Sequence, residues 1–489
     1  MSRFRAIFAC AATLALLLAP ARVNSADPLE TRAAYHVGIN GAYLPNLQQD
    51  TIRRWVRETG ATMPRVGMRM DLFQKGMPDH PDAMVSDAAA AGGSALAMLF
   101  NESQPVTRPD GSKDEGCKPP EGLWEPVFEN GTDDTLANGS AKINPRNQWA
   151  VFVAAMAERY DGDGIGDAPG SPEVWYFSVW NEPDWLPWPS RPKDASDKAM
   201  RNWFGRGFHD LARLAFVSHR AIKSVNPAAK VGMQLCFNQS LGLLLDDAKH
   251  PLAKNCDFID FHAYGGKGSD DNCFRNDGIL PVLKQMRGEY ERRKVPLPQF
   301  LCTESGVGGG EPGSEKGRTQ AAAVIKANVV GASAGLVTVC WYALVDPSWE
   351  NMGLIADASK LPPDGAGAAK RDAFTAMQTV AKLLPPSTRF VAEIPVGEAS
   401  HAYRFRDEKG GDVVVAWADD SNGPATQATV ELPLSPGPWE VVTWDGKGGK
   451  PVLAKGERTR VEFGTMPQFF RSRRQARMDA AKVDPQGLR

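Results

Sequence analysis

Two glutamates stand where an apolar run breaks off. Glu182 lies in Trp180-Asn181-Glu182-Pro183-Asp184-Trp185, directly after Val174 to Trp180, and Glu304 closes Phe300-Leu301-Cys302-Thr303-Glu304-Ser305-Gly306. A run of that composition is a buried strand, and Pro183 in one case and glycines in the other stop it just beyond the carboxylate. Each acid is thereby delivered to the end of a strand, partly desolvated, which raises a carboxyl pKa toward general-acid use. The plainer alternative is a carboxylate that caps the next helix. A pair of carboxyl groups about 5 Å apart suits double displacement, in which one attacks an anomeric carbon and the other protonates the leaving oxygen and then activates water; a wider pair suits inversion.

Other polar and aromatic residues fall beside this pair. In Phe258-Ile259-Asp260-Phe261-His262-Ala263-Tyr264-Gly265, His262 and Tyr264 alternate onto one face. From there the tyrosine hydroxyl can bond the Glu304 carboxylate and hold it ionised, while His262 touches substrate or Glu182; the competing reading is a satisfied core histidine. Trp341, ending Leu336 to Trp341, is a candidate floor for a sugar ring, and ordinary core packing fits it nearly as well. Trp185 and Trp188 form an aromatic loop after Glu182, a wall for further sugar units or a hydrophobic plug. Asp161, Asp163 and Asp167 alternate as in a calcium loop, but Pro172 holds the twelfth position where a bidentate Glu belongs, so no metal is expected. Gly308 to Gly313 matches a dinucleotide fingerprint only in spacing, because Pro312 and the polar residues after it argue against a helix N-terminus that cradles a pyrophosphate. His-Glu-x-x-His does not occur, and no cofactor is expected.

The elements that must position these groups alternate. Short β-type runs begin at His36, Arg65, Ala95, Val174, Val231, Phe258, Phe300 and Leu336, eight in all, with helical periodicity between them at Asn147 to Tyr160 and Trp203 to Val225. Alternation alone also fits an open doubly wound sheet. The count of eight, and the 122 positions between Glu182 and Glu304, favour a closed (β/α)8 TIM barrel. At roughly 40 residues per unit the two acids fall on strands 4 and 7, which face each other across the mouth. After Leu384-Pro385-Pro386 the pattern turns to strands with Gly, Pro, Asp and Asn between them, a C-terminal β-sandwich. The expected division is signal peptide 1–25, barrel 26–385, sandwich 386–470 and a polar tail 471–489 read as a short helix or disordered.

Arg3 and Arg5, then an apolar run from Ala6 to Ala19, then Val23-Asn24-Ser25, read as a signal peptide, so the protein is expected to be secreted or periplasmic, without membrane insertion after cleavage. An uncleaved anchor is the alternative. Among the cysteines left after cleavage, Cys256 and Cys273 flank one strand and loop and are the expected disulfide. A formal net charge of -2 with 23 % charged residues supplies no field for nucleic acid and suits a neutral partner.

Asn-Glu-Pro after the fourth strand, His-x-Tyr on the sixth, Glu on the seventh and Trp on the eighth resemble clan A glycoside hydrolases, with the layout most similar to family 39, over about residues 35 to 470. The resemblance implies a retaining mechanism on an oligosaccharide or polysaccharide, Glu182 as acid/base, Glu304 as nucleophile and Asn181 on the sugar 2-hydroxyl. It also implies an arginine near the nucleophile on strand 2, where Arg65 and Arg69 share one face and Arg65 is taken. A non-catalytic carbohydrate-binding protein and a transglycosidase are the rival readings.

Overall fold

The computed structural model describes residues 34–41, 46–76, 79–101, 104–107, 113–116, 119–129, 131, 133, 142–184, 207–236, 238–346, 351–420 and 426–472. Eight parallel strands close into a barrel: β1 (His36–Asn40), β2 (Met63–Arg69), β3 (Leu96–Phe100), β4 (Tyr176–Val179), β5 (Lys230–Leu235), β6 (Phe258–Ala263), β7 (Gln299–Ser305) and β8 (Thr338–Trp341), with β8 pairing back to β1. Helices cover it, among them α1 (Gln49–Thr59), α2 (Gln148–Arg159), α3 (Phe208–Val225), α4 (Ile279–Arg293), α5 (Glu315–Ser333) and α6 (Asp372–Leu383).

Local sequence explains where the helices start and stop. The Asn147 side chain accepts the Ala150 amide and opens α2, Ser314 does the same for α5 through Gly317, and Gly60 in the left-handed region ends α1. On α1 the buried residues Thr51, Ile52, Trp55, Val56 and Thr59 recur at helical spacing and face the barrel. The helix expected from Trp203 begins, within the described residues, at Phe208.

Inside the barrel the rule is strand alternation. Met63, Leu96, Tyr176, Phe258, Leu301 and Cys340 fill its lower interior as one buried cluster. Gly232 belongs to the same level because a Cβ there would lie 2.3 Å from the Phe258 ring. One level up sits a polar layer, where Asp260, fully buried, accepts the Ser178 hydroxyl at 2.6 Å and is also bonded by Thr303. Burial raises the Asp260 carboxyl, with Arg65 pulling the other way.

The C-terminal strands are β9 (Arg389–Glu393), β10 (Ser400–Arg406), β11 (Asp412–Ala418), β12 (Gln427–Leu432), β13 (Gly437–Thr443), β14 (Val452–Ala454), β15 (Thr459–Gly464) and β16 (Gln468–Ser472). Six form one antiparallel sheet in the order β9-β10-β11-β16-β13-β14, and β12 pairs with β15 in a second. Val414, Ala416 and Ala418 pack with Leu432, Val461 and Phe463 between these two sheets, while Val413, Val415 and Trp417 join the core shared with the barrel. The larger sheet is thus covered on both faces, so its central strand is apolar throughout. The last strand runs to Ser472, two residues into the segment read as a polar tail.

Candidate active site

The upper interior of the barrel is a cleft whose floor follows the same alternation. The inward positions closest to the rim include Asn40, Arg65, Phe100, Gln234, His262 and Tyr342, and a cavity of about 260 Å³ opens over Asn40, Arg65, Met98, Phe100, Asn101, Trp180, Asn181, Glu304 and Tyr342.

Strict alternation would send Glu304 outward, since Leu301 and Thr303 already face the interior. The pairing of β7 shifts register against both neighbours: Phe261 opposes Cys302 while His262 opposes Glu304, and Val339 opposes Cys302 while Trp341 opposes Ser305. One extra residue in β7 turns Glu304 back into the cleft. Glu182 is turned by different means. Trp180 and Glu182 both hold positive φ, +70° and +47°, a rare conformation outside glycine. The Glu182 amide is fastened to the Gln234 side chain, and Trp180 donates to the Leu99 carbonyl at 2.7 Å. Such strain persists only where the surroundings enforce it.

Glu304 is the better enclosed of the two acids. Arg65 Nη1 lies 2.5 Å from its Oε1, Tyr264 donates its hydroxyl to Oε2 at 2.9 Å, and Asn40 Nδ2 is 3.4 Å from Oε1. The second arm of Arg65 donates to Asn181 Oδ1 at 2.8 Å. Burial, which alone would lower the Arg65 pKa, is outweighed by Glu304 and Asp260, so the guanidinium stays charged. Burial and Glu304 push the Tyr264 phenol well above its ordinary range, which keeps it a donor.

Glu182 accepts from His262, whose Nδ1 is 2.7 Å from Oε1, and about a quarter of its side chain is exposed at 27 %. Burial raises its carboxyl pKa, partly offset by Arg65 and by the Cys236 thiol. His262 itself is pushed down to about 4 by burial, with Arg65 adding to the effect, and is neutral at ordinary pH. The same Nδ1 is 3.4 Å from Glu304 Oε2, so the two oxygens concerned are at most 6.1 Å apart, the sum of those distances.

Of the residues read from the sequence, Glu182, Glu304, Asn181, Arg65, His262 and Tyr264 meet in this cleft, and Arg69 instead pairs with Asp71 nearer the surface. Trp341 does not reach it. Thr338 and Cys340 face inward, so alternation sends Trp341 outward into the core, fully buried with its indole N–H on the Met352 carbonyl at 3.1 Å; the ring at the cleft is Tyr342. The expected Cys256–Cys273 bridge is absent, because a strand between two cysteines puts them at opposite ends of the barrel: Cys256 bonds the Phe258 carbonyl at the base and Cys273 is buried beyond the rim, both free thiols. Trp185 and Trp188, like the signal segment, lie outside the described residues. Asp161, Asp163 and Asp167 converge on the loop after α2 with carboxylate oxygens within 4.8 Å, and burial and the neighbouring acids push Asp161 up to about 6.

Asn40, Gln234, Cys236 and Tyr342 were not singled out above. Asn40 carries a usable signal, since it ends an apolar strand with a polar side chain as Asn181 and Glu304 do. Gln234 and Cys236 lie among apolar residues and become recognisable only when the inward face of β5 is known.

The fold is shared with solved glycoside hydrolases. A family 39 glycoside hydrolase from Bacteroides cellulosilyticus WH2 superposes with TM-score 0.57 at 16 % identity over 90 % of this chain and 81 % of that one. A GH30 endoxylanase from Clostridium papyrosolvens C71 gives 0.55 at 12 % over 90 % and 97 %, and a glucosidase from Croceicoccus marinus 0.56 at 15 % over 90 % and 96 %. No family model matches the sequence, and no curated protein does. Among the described residues no helix is long and apolar enough to cross a membrane.

Proposed function

We propose that the protein is an exported retaining glycoside hydrolase acting on an oligosaccharide or polysaccharide, with Glu304 as nucleophile and Glu182 as acid/base. The observation that carries this reading is the shared contact of both acids with His262 Nδ1, which limits the two oxygens to 6.1 Å. A carboxyl pair spaced about 5–5.5 Å attacks directly, whereas about 6.5–9.5 Å leaves room for a water on the far side of the sugar.

The roles divide by environment. Glu304 has Arg65, Tyr264 and Asn40 on its oxygens and acts as the carboxylate. It attacks the anomeric carbon as the bond to the leaving oxygen breaks, and Glu182, its carboxyl pKa raised by burial, gives that oxygen its proton. The resulting Glu182 carboxylate then takes a proton from water, which displaces Glu304 from the same carbon. Asn181, held by Arg65 at the rim between the two acids, is placed for a sugar hydroxyl. Solved relatives in fold named as a family 39 glycoside hydrolase, an endoxylanase and a glucosidase support a saccharide substrate.

The test is release of nitrophenol from aryl β-xyloside, glucoside, galactoside and mannoside, and of reducing ends from polysaccharides, by wild type and Glu304→Gln in parallel. Turnover in the wild type that falls at least about a thousandfold in the variant is expected. Silence of the wild type across both panels overturns the hydrolytic reading.

A further inference from the structure

The chain that leaves β6 places Tyr264 on Glu304 and then runs through Gly265 to Arg275 bonded on both sides. Toward the barrel, the buried Asn272 side chain donates to the hydroxyl of Ser305, the residue after Glu304, at 2.9 Å. Toward the sandwich, Asp270, fully buried, accepts the Trp417 indole N–H at 3.0 Å on Oδ1 and the Asp420 amide at 2.8 Å on Oδ2. Ser269 donates its amide and its hydroxyl to Asp420 at 3.0 and 2.6 Å. Arg275 grips both oxygens of Asp419 at 3.1 Å, and Phe274 stacks flat on His401 with ring centroids 4.3 Å apart.

All these contacts from the sandwich converge on one segment of about a dozen residues, and that segment starts at a ligand of the proposed nucleophile. It is also tightly folded, since a Cβ on Gly265 would lie 2.0 Å from the Asp271 carbonyl oxygen. Asp270 is further tied to Lys326 of α5 at 2.8 Å, both side chains fully buried. A buried ion pair returns little net stability because desolvation offsets attraction. With both oxygens committed in three directions, what Asp270 supplies is a fixed position for the loop.

We propose that the sandwich is a positioning element of the active site: Trp417 and Asp420, acting through Asp270 and the segment 265–275, set Tyr264 against Glu304. The catalytic half of this inference rests on the hydrolytic reading above.

The experiment is a double-mutant cycle in the full chain. Trp417→Phe keeps the ring and deletes the N–H, Tyr264→Phe deletes the hydroxyl it is argued to place, and Asp420→Asn serves as the second sandwich variant should Trp417→Phe fail to fold. With assays run well below each variant's melting temperature, Trp417→Phe is expected to lower kcat at least about fivefold in the wild-type background and less than about twofold in the Tyr264→Phe background, with KM little changed. Equal losses in both backgrounds, or none in either, overturn the proposal. Amide hydrogen exchange provides a readout independent of turnover: faster exchange in Trp417→Phe over residues 264–276 and 303–306, with the slowest core amides unchanged, is expected. Protection unchanged over those residues defeats the positioning role, while an inactive wild type with the exchange result intact defeats only the hydrolytic reading.

Discussion

Arg65 stands on the second barrel strand and Glu304 on the seventh, yet Arg65 Nη1 is 2.5 Å from Glu304 Oε1, with only 2 % and 12 % of the two side chains exposed. A charge pair this enclosed depends on both members. Arg65→Met strands the Glu304 carboxylate without its cation and frees Asn181, so a loss of about 3–5 kcal/mol in urea unfolding is expected together with loss of turnover. A variant as stable as wild type removes the guanidinium from its central place.

The raised carboxyl pKa of Glu182 sets the alkaline limb of the rate profile. As the acid it must be protonated in the free enzyme, so kcat/KM holds as pH climbs past the ordinary carboxylate range and falls only above the raised value. Glu182→Gln is expected to remove that limb and to slow substrates with poor leaving groups far more than nitrophenyl glycosides, which need less help from a proton. Equal slowing of both classes assigns the proton to another group.

His262 makes stability depend on acid. Its pKa is about 4 in the fold against about 6.5 unfolded, so between these values the unfolded chain holds more protons than the native one. Stability from this residue is complete above about pH 6.5 and is lost as pH falls toward 4, by on the order of 3 kcal/mol for a shift that size. Unfolding free energies measured at steps between pH 7 and 4 are expected to show that decline and to flatten in His262→Asn. An unchanged slope in the variant locates the titration elsewhere.

Trp341 and Tyr342 are adjacent and separate two kinds of effect. Trp341→Ala opens the packed core and is expected to cost about 3–5 kcal/mol by chemical denaturation. Tyr342→Ala removes a cleft wall, and a severalfold rise in KM with little change in unfolding free energy is expected. The reverse pattern places the indole, not the phenol, against substrate.

Much of this was legible from residue types. Eight apolar runs broken by helical periodicity identify the barrel because each strand is buried on both sides, and the two acids betray themselves by ending such runs. Face was harder than strand. Arg65 and Arg69 share an inward face, and depth along β2 decides between them: one lies within the barrel and the other pairs with Asp71 at its edge. Trp341 shows the opposite error, in which position along the strand was right and alternation assigns the ring to the other side. The disulfide expectation failed on length, since a six-residue strand at about 3.3 Å per residue spans far more than a disulfide can. Gln234 and Cys236 left no trace because their strand reads as ordinary interior until its neighbours are known.

The register shift in β7 makes the placement of Glu304 a matter of counting. Every residue type around it can be kept, and regular pairing of Thr303 with His262 and of Glu304 with Ala263, with no residue taken up in the bulge, would turn the carboxylate half a revolution, out of the cleft and into the helical shell. A survey by substitution alone would pass over this dependence, since no side chain encodes it. Transplanting the site to another barrel therefore means copying a miscount along with the acids.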